Sequence, residues 1–136
     1  MLRPSAQRTE SMSFDADVLI IGAGPSGAMA AAHLRRLGRS VIILEREQFP
    51  RFSIGESLLP QSMGLLDDAG LLRPVVEAGF QFKNGATVAR GDRFTSFDFR
   101  DKFGDGWGTT YQGDRATFDH VLAKADAPGA EPTRIE

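Results

Sequence analysis

The stretch from Asp17 to Gly27, DVLIIGAGPSG, constrains the fold of this chain more than any other part of it. Asp17–Ile21 is a β-branched, apolar run that predicts a strand buried on both faces of a parallel sheet. The glycines after it have the spacing G-x-G-x-x-G, in which Gly22 permits a sharp turn, Gly24 admits a pyrophosphate and Gly27 allows close helix packing. The stretch predicts a strand ending in a phosphate-binding turn, and the alternative is a glycine turn that serves packing alone.

A helix and a second strand follow the turn. Ser26–Leu37 is rich in alanine and leucine and predicts a helix, with Pro25 in the first turn and Gly38 as its stop. Ser40–Leu44, SVIIL, predicts a second buried strand. Strand, turn, helix and strand make a βαβ unit, whose right-handed crossover would place both strands parallel and the glycine turn at their carboxyl edge.

Glu45 directly follows the second predicted strand, eighteen residues beyond Gly27. A carboxylate at that position can accept hydrogen bonds from the hydroxyl groups of a ribose. It would repel a 2′-phosphate, which disfavours NADP and leaves NAD and FAD as alternatives. The alternative interpretation of Glu45 is a solvated strand end.

The rest of the chain has a looser pattern. The fold class expected is α/β, a Rossmann-like βαβ unit with added helices and a β-hairpin, and the last residues only begin a third strand. Since two parallel strands do not close a sheet, the chain is interpreted as an incomplete amino-terminal part of a larger protein. The further predicted elements are a loop over Phe49–Ser57, helices over Leu58–Ala69 and Leu71–Ala78, a hairpin over Phe80–Arg90 turning at Asn84-Gly85, a strand over Arg93–Arg100, a helix over Thr117–Ala125 and a strand start within Gly129–Glu136.

Composition excludes several function classes. The formal net charge of −2 and the 25% of charged residues give no overall field that selects nucleic acid or an anionic membrane. With no cysteine and no histidine pair at ligand spacing, no metal site is predicted, and redox chemistry requires a cofactor. Residues 1–14 are expected to be a flexible leader without a secretory signal, no apolar run is long enough for a membrane span, and a cytoplasmic protein follows. Alternating phenylalanines are interpreted as core residues, at positions Phe80, Phe82, Phe94, Phe97, Phe99 and Phe103.

Several motifs together carry a family resemblance, which runs from about Asp15 to Lys124. The sequence resembles the opening of FAD-dependent oxidoreductases of the glutathione-reductase-like fold, in particular the branch of flavin-dependent halogenases, aromatic monooxygenases and geranylgeranyl-reductase-like proteins. The resemblance implies FAD as cofactor and residues 15–136 as a partial FAD-binding domain, without the second flavin motif and the substrate domain. The motifs are Gly22–Gly27, Glu45-Arg46, Pro50-Arg51, Ile54-Gly55-Glu56-Ser57, Pro60, Phe82-Lys83-Asn84-Gly85-Ala86, Arg115, Phe118-Asp119 and Leu122.

The resemblance also implies roles for particular residues. The glycines would hold the pyrophosphate and Glu45 the adenosine ribose, while Arg51 and the loop from Ile54 to Ser57 would lie near the ribityl chain and the flavin ring. Arg115 would contact the flavin nucleotide from a third direction, because its donor fork matches phosphate and ribose oxygens. The cofactor-binding residues implied are Gly22, Gly24, Pro25, Ser26, Gly27, Glu45, Arg46, Arg51, Ile54, Gly55, Ser57 and Arg115.

Lys83 is the one candidate catalytic residue. Its place in FKNGATV is similar to that of the lysine in flavin-dependent halogenases that is thought to hold hypohalous acid and direct it to the substrate. An amine suits this role, since it can hydrogen-bond the acid or be halogenated, and burial would lower its pKa toward the neutral form. The alternative is a solvated edge lysine beside a hairpin turn. The Trp-x-Trp-x-Ile-Pro segment of better-known halogenases is absent, and Trp107 is the sole tryptophan.

The activity implied is that of an FAD-dependent oxidoreductase, a halogenase or monooxygenase. In the complete protein, reduced FAD would activate O2 to hydroxylate a small aromatic substrate or, with halide, to halogenate it. Electrons would come from NAD(P)H or a separate flavin reductase. This chain by itself is expected to be inactive and to bind FAD weakly or not at all. The alternatives are a flavin reductase of isoprenoid double bonds and a non-catalytic or truncated nucleotide-binding module.

Overall fold

A computed structural model describes residues 15–125 and 134–135 of the chain. The described part contains short strands and helices in a mixed α/β arrangement, as the sequence predicts. Its elements are β1 (Val18–Ile21), α1 (Pro25–Arg36), β2 (Val41–Leu44), α2 (Pro60–Ala69), α3 (Leu72–Glu77), β3 (Gln81–Lys83), β4 (Gly85–Arg90), β5 (Arg93–Asp98), β6 (Thr110–Gln112), α4 (Arg115–Lys124) and β7 (Arg134–Ile135).

The βαβ unit is present, and its strands are parallel. β1 pairs with β2 from Val18 opposite Val41 to Ile21 opposite Leu44, and β7 pairs parallel to the other side of β2. The order β1-β2-β7 matches one half of a dinucleotide-binding sheet, in which the second strand lies between the first and the third. The predicted start of a third strand is therefore confirmed at residues 134–135, while residues 126–133 lie outside the described part.

The prediction that both faces of this sheet are buried is wrong for β1 and for the end of β2. One face packs on α1, where Val41 and Ile43 join Ala31 in a small buried cluster. On the other face Leu19 is 58% exposed and Ile21 is 86% exposed. The side chains of β1 are apolar on both faces of the sheet, whereas residues 15–125 and 134–135 cover only one of these faces.

Helix α1 connects the sheet to a second apolar core. Ala31 faces the sheet cluster, whereas Ala28 and Ala32 belong to a cluster formed with α2, α3 and α4. Small side chains let the helix lie close to elements on two sides. The site at the start of α1 is thereby fixed between a sheet and a helical layer. The other buried members of the second cluster are Met63, Leu66, Ala69, Leu71, Val75, Phe118 and Leu122.

The predicted hairpin over Phe80–Arg90 is wrong. β3 instead pairs antiparallel with β6, and β4 pairs antiparallel with β5 through a turn at Gly91-Asp92. Gly91 has the positive φ, +58°, that such a turn uses. Gly85 lies within β4, where a Cβ atom would be 2.5 Å from the Phe97 carbonyl oxygen, so a close approach explains the glycine. Asn84-Gly85 is a strand junction.

The interpretation of the alternating phenylalanines as core residues is wrong for most of them. Phe82 is more than half exposed, Phe94 is 79% exposed, and Phe97 and Phe103 are also open to solvent. Phe80 alone of the six packs against the helical core. Phe82 lies in β3 and both Phe94 and Phe97 lie in β5, on opposite faces of that strand, whereas Phe80, Phe99 and Phe103 lie outside the strands.

No helix within residues 15–125 and 134–135 is long and apolar enough to cross a membrane. The longest of them, α1, has 12 residues. The cytoplasmic location expected from the sequence stays a prediction.

Candidate functional site: a glycine turn beside two arginines

The glycine turn lies at the carboxyl edge of β1 and β2. Gly22 has a φ of +97°, and its amide donates to the Leu44 carbonyl oxygen at 2.7 Å, which fixes the turn to the end of β2. A Cβ atom on Gly27 would lie 2.0 Å from the Gly22 carbonyl oxygen, so only glycine fits where α1 crosses the turn. The sharp turn and the close packing predicted for these glycines are present, and their contact with FAD stays a prediction.

The start of α1 leaves amide groups available at the turn. The first intrahelical bond runs from the Ala28 amide to the Gly24 carbonyl at 2.9 Å, so the amides of Ser26 and Gly27 precede the helix ladder. Pro25 occupies the first helical turn, as predicted, and Gly24 makes no side-chain cap. The helix N-terminus therefore presents free N–H groups and a partial positive charge, which suit an anion.

The Glu45 side chain is 7% exposed and packs against the turn. One carboxylate oxygen, Oε2, accepts from the Ala23 amide at 2.8 Å and lies 3.4 Å from Arg51 Nη2, while Oε1 accepts from the Glu47 amide at 3.1 Å. Burial raises the pKa of Glu45, but these hydrogen bonds and the Arg51 charge together hold it below its ordinary value of 4.5. An ionised carboxylate thus ties the end of β2 to the turn, and its contact with a ribose stays a prediction.

A cleft of about 380 Å³ opens beside Glu45, at the carboxyl edge of the sheet. Its size falls within the range of roughly 300–1,000 Å³ found for small-molecule sites. Arg46 lines it with a side chain that is 89% exposed and pairs with Glu47 at 3.3 Å. The structure therefore brings Glu45 and Arg46 to one cleft with the turn. The full lining is Ile21, Gly22, Leu44, Glu45, Arg46, Glu47 and Arg51.

Arg51 and Arg115 converge on the middle of the glycine turn. A Cβ atom placed on Gly24 would lie 3.6 Å from Arg51 Nη2 and 3.8 Å from Arg115 Nη2. Arg51 comes from the loop after β2, and Arg115 is the first residue of α4. The resemblance places Arg51 near the ribityl chain and the flavin ring, and that role stays a prediction. The structure places both guanidinium groups beside Gly24, where they concentrate two permanent positive charges.

A buried carboxylate that sequence reasoning did not assign to the site joins the two arginines. Asp119 is fully buried; its Oδ1 accepts from Arg115 Nε at 2.6 Å. Its Oδ2 lies 3.4 Å from Arg51 Nη1, an ion pair without hydrogen-bond geometry. The spacing of four residues between Arg115 and Asp119 on a helix was the one sequence signal of this contact. The contact with Arg51 had none.

The loop from Ile54 to Ser57 is fixed to the same cluster. Arg115 Nη1 donates to the Ile54 carbonyl at 2.7 Å, and Gly55, with a φ of +102°, leaves room for that guanidinium. Ser57 forms a β-bridge with Gln112 of β6. The loop predicted near the flavin thus lies beside Arg115 and is held from two sides.

Lys83, at the end of β3, reaches this loop. Its Nζ donates a short hydrogen bond to Ser57 Oγ and lies 5.3 Å from the centre of the Phe99 ring. The side chain is half-buried, although the hairpin turn expected beside it does not exist. The structure brings Lys83 to Ser57, whereas Arg115 contacts the other end of the same loop.

The residues at the turn fit the pyrophosphate of a dinucleotide. Gly24 has no side chain where two guanidinium groups and the amides of α1 meet. The buried Nε of Arg51 has no hydrogen-bond partner within residues 15–125 and 134–135, so this guanidinium has donor capacity left. Charge-assisted bonds from arginine and bonds from a helix N-terminus are the contacts that diphosphates receive in proteins.

Comparison with known proteins identifies the family. Residues 15–129 match the FAD binding domain. A brominase of 1H-pyrrole-2-carbonyl-[peptidyl-carrier protein] from Pseudoalteromonas luteoviolacea is 36% identical over 79% of this chain and 25% of its own length. A flavoprotein/dehydrogenase from Cytophaga hutchinsonii is 47% identical, with a TM-score of 0.82 over 89% of this chain and 29% of its own. The myxobacterial chondrochloren halogenase CndH, an FAD-dependent halogenase, is 39% identical, with a TM-score of 0.70 over 79% of this chain and 25% of its own.

The chain thus spans 25% of the length of the Pseudoalteromonas brominase and smaller shares, down to 13%, of other curated halogenases. The match covers the glycine turn, both arginines, Asp119 and Lys83 in one continuous segment. The chain belongs to the FAD binding domain family, and its cofactor is FAD.

Proposed function

We propose that this chain forms the wall of an FAD site that binds the adenosine diphosphate part of the cofactor. The observation that carries the proposal is the convergence of Arg51 and Arg115 on Gly24 at the start of α1. Gly22 and Gly27 shape the turn, and the amides of Ser26 and Gly27 together with both arginines hold the pyrophosphate. Glu45 and Arg46 line the cleft for the adenosine, where the Glu45 carboxylate receives the ribose and disfavours a 2′-phosphate.

We infer that the Ile54–Ser57 loop faces the flavin side of the site. Support comes from Arg115, which contacts Ile54 with one nitrogen and approaches the glycine turn with another. A single guanidinium therefore connects the pyrophosphate position with this loop. Lys83, bonded to Ser57, lies on the same side.

The reaction proposed for the whole protein is O2-dependent halogenation or hydroxylation of a small aromatic substrate. FAD, once reduced by NAD(P)H or by a separate reductase, supplies the electron pair that reduces O2. Several relatives are flavin-dependent halogenases by name, which favours halogenation and a halide as co-substrate. In that case Lys83 holds hypohalous acid through its amine, and Ser57 orients the amine. A cytoplasmic location without nucleic-acid partners belongs to the same proposal.

A flavin-dependent dehydrogenase is the second candidate. The Cytophaga flavoprotein/dehydrogenase has a higher identity to this chain, 47%, than the halogenases named above. In a dehydrogenase Lys83 would only hold Ser57 in place. The FAD site itself is common to both candidates.

Titration distinguishes FAD recognition from a packing role of the turn. FAD and riboflavin are titrated into the isotope-labelled chain, because chemical shifts report dissociation constants even in the millimolar range. We expect FAD to shift the amides of Ser26 and Gly27, and riboflavin, which lacks the pyrophosphate, to leave them unchanged. Equal shifts with both ligands would contradict the proposed pyrophosphate contact.

Variants of Lys83 separate the two candidate reactions in a complete flavoprotein carrying this segment. Lys83→Ala should remove the halogenated product, measured by mass spectrometry with bromide and an electron-rich aromatic substrate, while O2 consumption continues. Lys124→Ala, an exposed lysine on α4, is the matched control. Halogenated product from Lys83→Ala at the control rate would exclude the catalytic role, and loss of bound flavin would mark Lys83 as structural.

A further inference from the structure

Asp119 holds a position that no binding role explains. It has no exposed surface, so no ligand reaches its carboxylate directly, yet it faces both arginines of the proposed site. A buried carboxylate is costly without partners of opposite charge, and here Arg51 and Arg115 provide them from two separate elements. Asp119 thereby joins the loop after β2 to the first turn of α4.

The nitrogen atoms of Arg115 are divided among three directions. Nε donates to Asp119 at 2.6 Å, Nη1 donates to the Ile54 carbonyl at 2.7 Å, and Nη2 is the nitrogen nearest to Gly24. Since a guanidinium is planar and rigid, fixing two of its nitrogens fixes where the third one points. The Asp119 contact therefore determines the direction of Nη2.

Arg51 shows the same division. Its Nη1 faces Asp119 at 3.4 Å, while its Nη2 faces Glu45 and the Gly24 position. Two guanidinium groups that approach one point repel each other, and the buried negative charge behind them reduces this repulsion. Asp119 and Glu45 together balance both positive charges before any anion binds.

We propose that Asp119 is a positioning residue that aims Arg51 and Arg115 at the pyrophosphate of FAD, an inference that rests on the proposed function of the site. Asp119 itself does not touch the cofactor. Its removal leaves both arginines charged but free to turn away from Gly24. FAD affinity is then lost because the N–H donors of the two arginines no longer point at the pyrophosphate.

A double-mutant experiment tests this role. FAD dissociation constants are measured by chemical-shift titration for wild type, for Asp119→Asn, for Arg51→Ala and Arg115→Ala singly and together, and for the chain without both arginines that also carries Asp119→Asn. We expect Asp119→Asn, which keeps the shape of the side chain, to weaken FAD binding on the order of tenfold. In the chain without both arginines, adding Asp119→Asn should change the affinity less than about twofold, since it has nothing left to position.

A second measurement needs no cofactor. The Nε–H resonance of Arg115 in the free chain should be shifted and protected from exchange in wild type, and should move toward the value of a solvated arginine in Asp119→Asn. Asp98→Asn is the matched control, because the Asp98 carboxylate binds Arg100 and contacts neither arginine of the site. It should leave the Arg115 resonance shifted and protected.

The outcomes separate this inference from the proposed site. Weaker FAD binding in Asp119→Asn, together with a changed Arg115 resonance, supports the positioning role. Wild-type affinity in Asp119→Asn while Arg51→Ala and Arg115→Ala each weaken binding overturns the positioning role alone. Unchanged affinity in all variants overturns the FAD site at this turn and the inference with it. If the chain by itself does not bind FAD, the Arg115 resonance decides the positioning role. An Arg115 resonance that Asp119→Asn leaves unchanged overturns the inference whether FAD binds or not.

Discussion

At the glycine turn the buried charges face partners within the chain, whereas along the β4–β5 hairpin large apolar side chains face solvent. Glu45 and Asp119 are both matched by arginines, and the turn is closed by backbone hydrogen bonds. The hairpin pairs its strands fully, yet Val88, Phe94 and Phe97 remain exposed. The carboxylates at the glycine turn are therefore paired, whereas apolar side chains on the hairpin are not packed. Residues 15–125 and 134–135 leave these apolar side chains of the hairpin uncovered.

The largest effect expected from this contrast concerns packing. Leu66→Ala, in the fully buried helical core, should lower the free energy of unfolding by about 2–5 kcal/mol, since it removes a buried side chain and leaves a cavity. Phe94→Ala, on the hairpin, should change it by no more than about 0.5 kcal/mol. Urea unfolding followed by circular dichroism measures both. A Phe94 variant as destabilised as the Leu66 variant would show that the hairpin does belong to the core.

The second effect separates two glycines of one turn. Gly27→Ala places a Cβ atom 2.0 Å from a backbone oxygen, so we expect a loss of about 3 kcal/mol in the free energy of unfolding. Gly24→Ala meets only ordinary contacts at 3.6 Å and should cost about 1 kcal/mol or less. The same urea experiment compares them. Equal losses would mean that the turn relaxes around either side chain.

The third effect is on FAD affinity at the turn. Glu45→Ala should weaken FAD binding by about 1.5–3 kcal/mol, or tenfold to a hundredfold, because it would remove the proposed charge-assisted contact with the ribose and would free Arg51. Gly24→Val should weaken it as well by filling the space for the pyrophosphate. Glu77→Ala, an exposed carboxylate on α3 that lies outside the cleft, is the control. Chemical-shift titration gives the affinities, and unchanged affinity in both site variants would contradict the dinucleotide site.

The smallest effect is a pH dependence of the hairpin. The Arg100 side chain and amide bind the Asp98 carboxylate and lower its pKa from 3.8 to about 2. Because the folded pKa lies below the unfolded one, Asp98 contributes stability above about pH 4, and the contribution disappears as the pH falls toward 2. Amide-exchange protection of β4 and β5 should therefore decrease over that interval in wild type and not in Asp98→Asn. A carboxyl resonance that titrates with a midpoint near 3.8 would exclude the Arg100 contact in solution.

Local sequence signals predicted the βαβ unit well. The other elements were predicted less well, because they depend on contacts between residues that are distant in sequence. The bounds of α1 follow from Pro25 and Gly38, which act within one helical turn of themselves. Asn84-Gly85 misled the hairpin prediction, because Gly85 is required by the Phe97 carbonyl across the β4–β5 pair and not by a turn. The sequence alone does not distinguish a glycine that lets two strands approach closely from a glycine that a turn with positive φ requires.

The candidate site shows the same limit. Gly22, Gly24, Gly27 and Glu45 follow from spacing and strand ends, whereas the arginines came only from the family resemblance. The place of Asp119 in the site could not be predicted, because Arg51 lies far from it along the chain and no local pattern links a loop arginine to a carboxylate on α4. The ribose role of Glu45 and the catalytic role of Lys83 stay predictions.

The strand order β1-β2-β7 has a consequence for synthesis of the chain on the ribosome. β1 and β2 are close in sequence and can pair early. The partner of Ile43 on the other side of β2 is Ile135 of β7, which is synthesised 92 residues later. At translation rates of about 5–20 residues per second, that delay is on the order of 5 to 20 seconds. During this interval β2 is a nascent edge strand with unpaired backbone groups, open to pairing with neighbouring chains. The middle strand of the described sheet is thus an open edge strand for part of the time in which the chain is made.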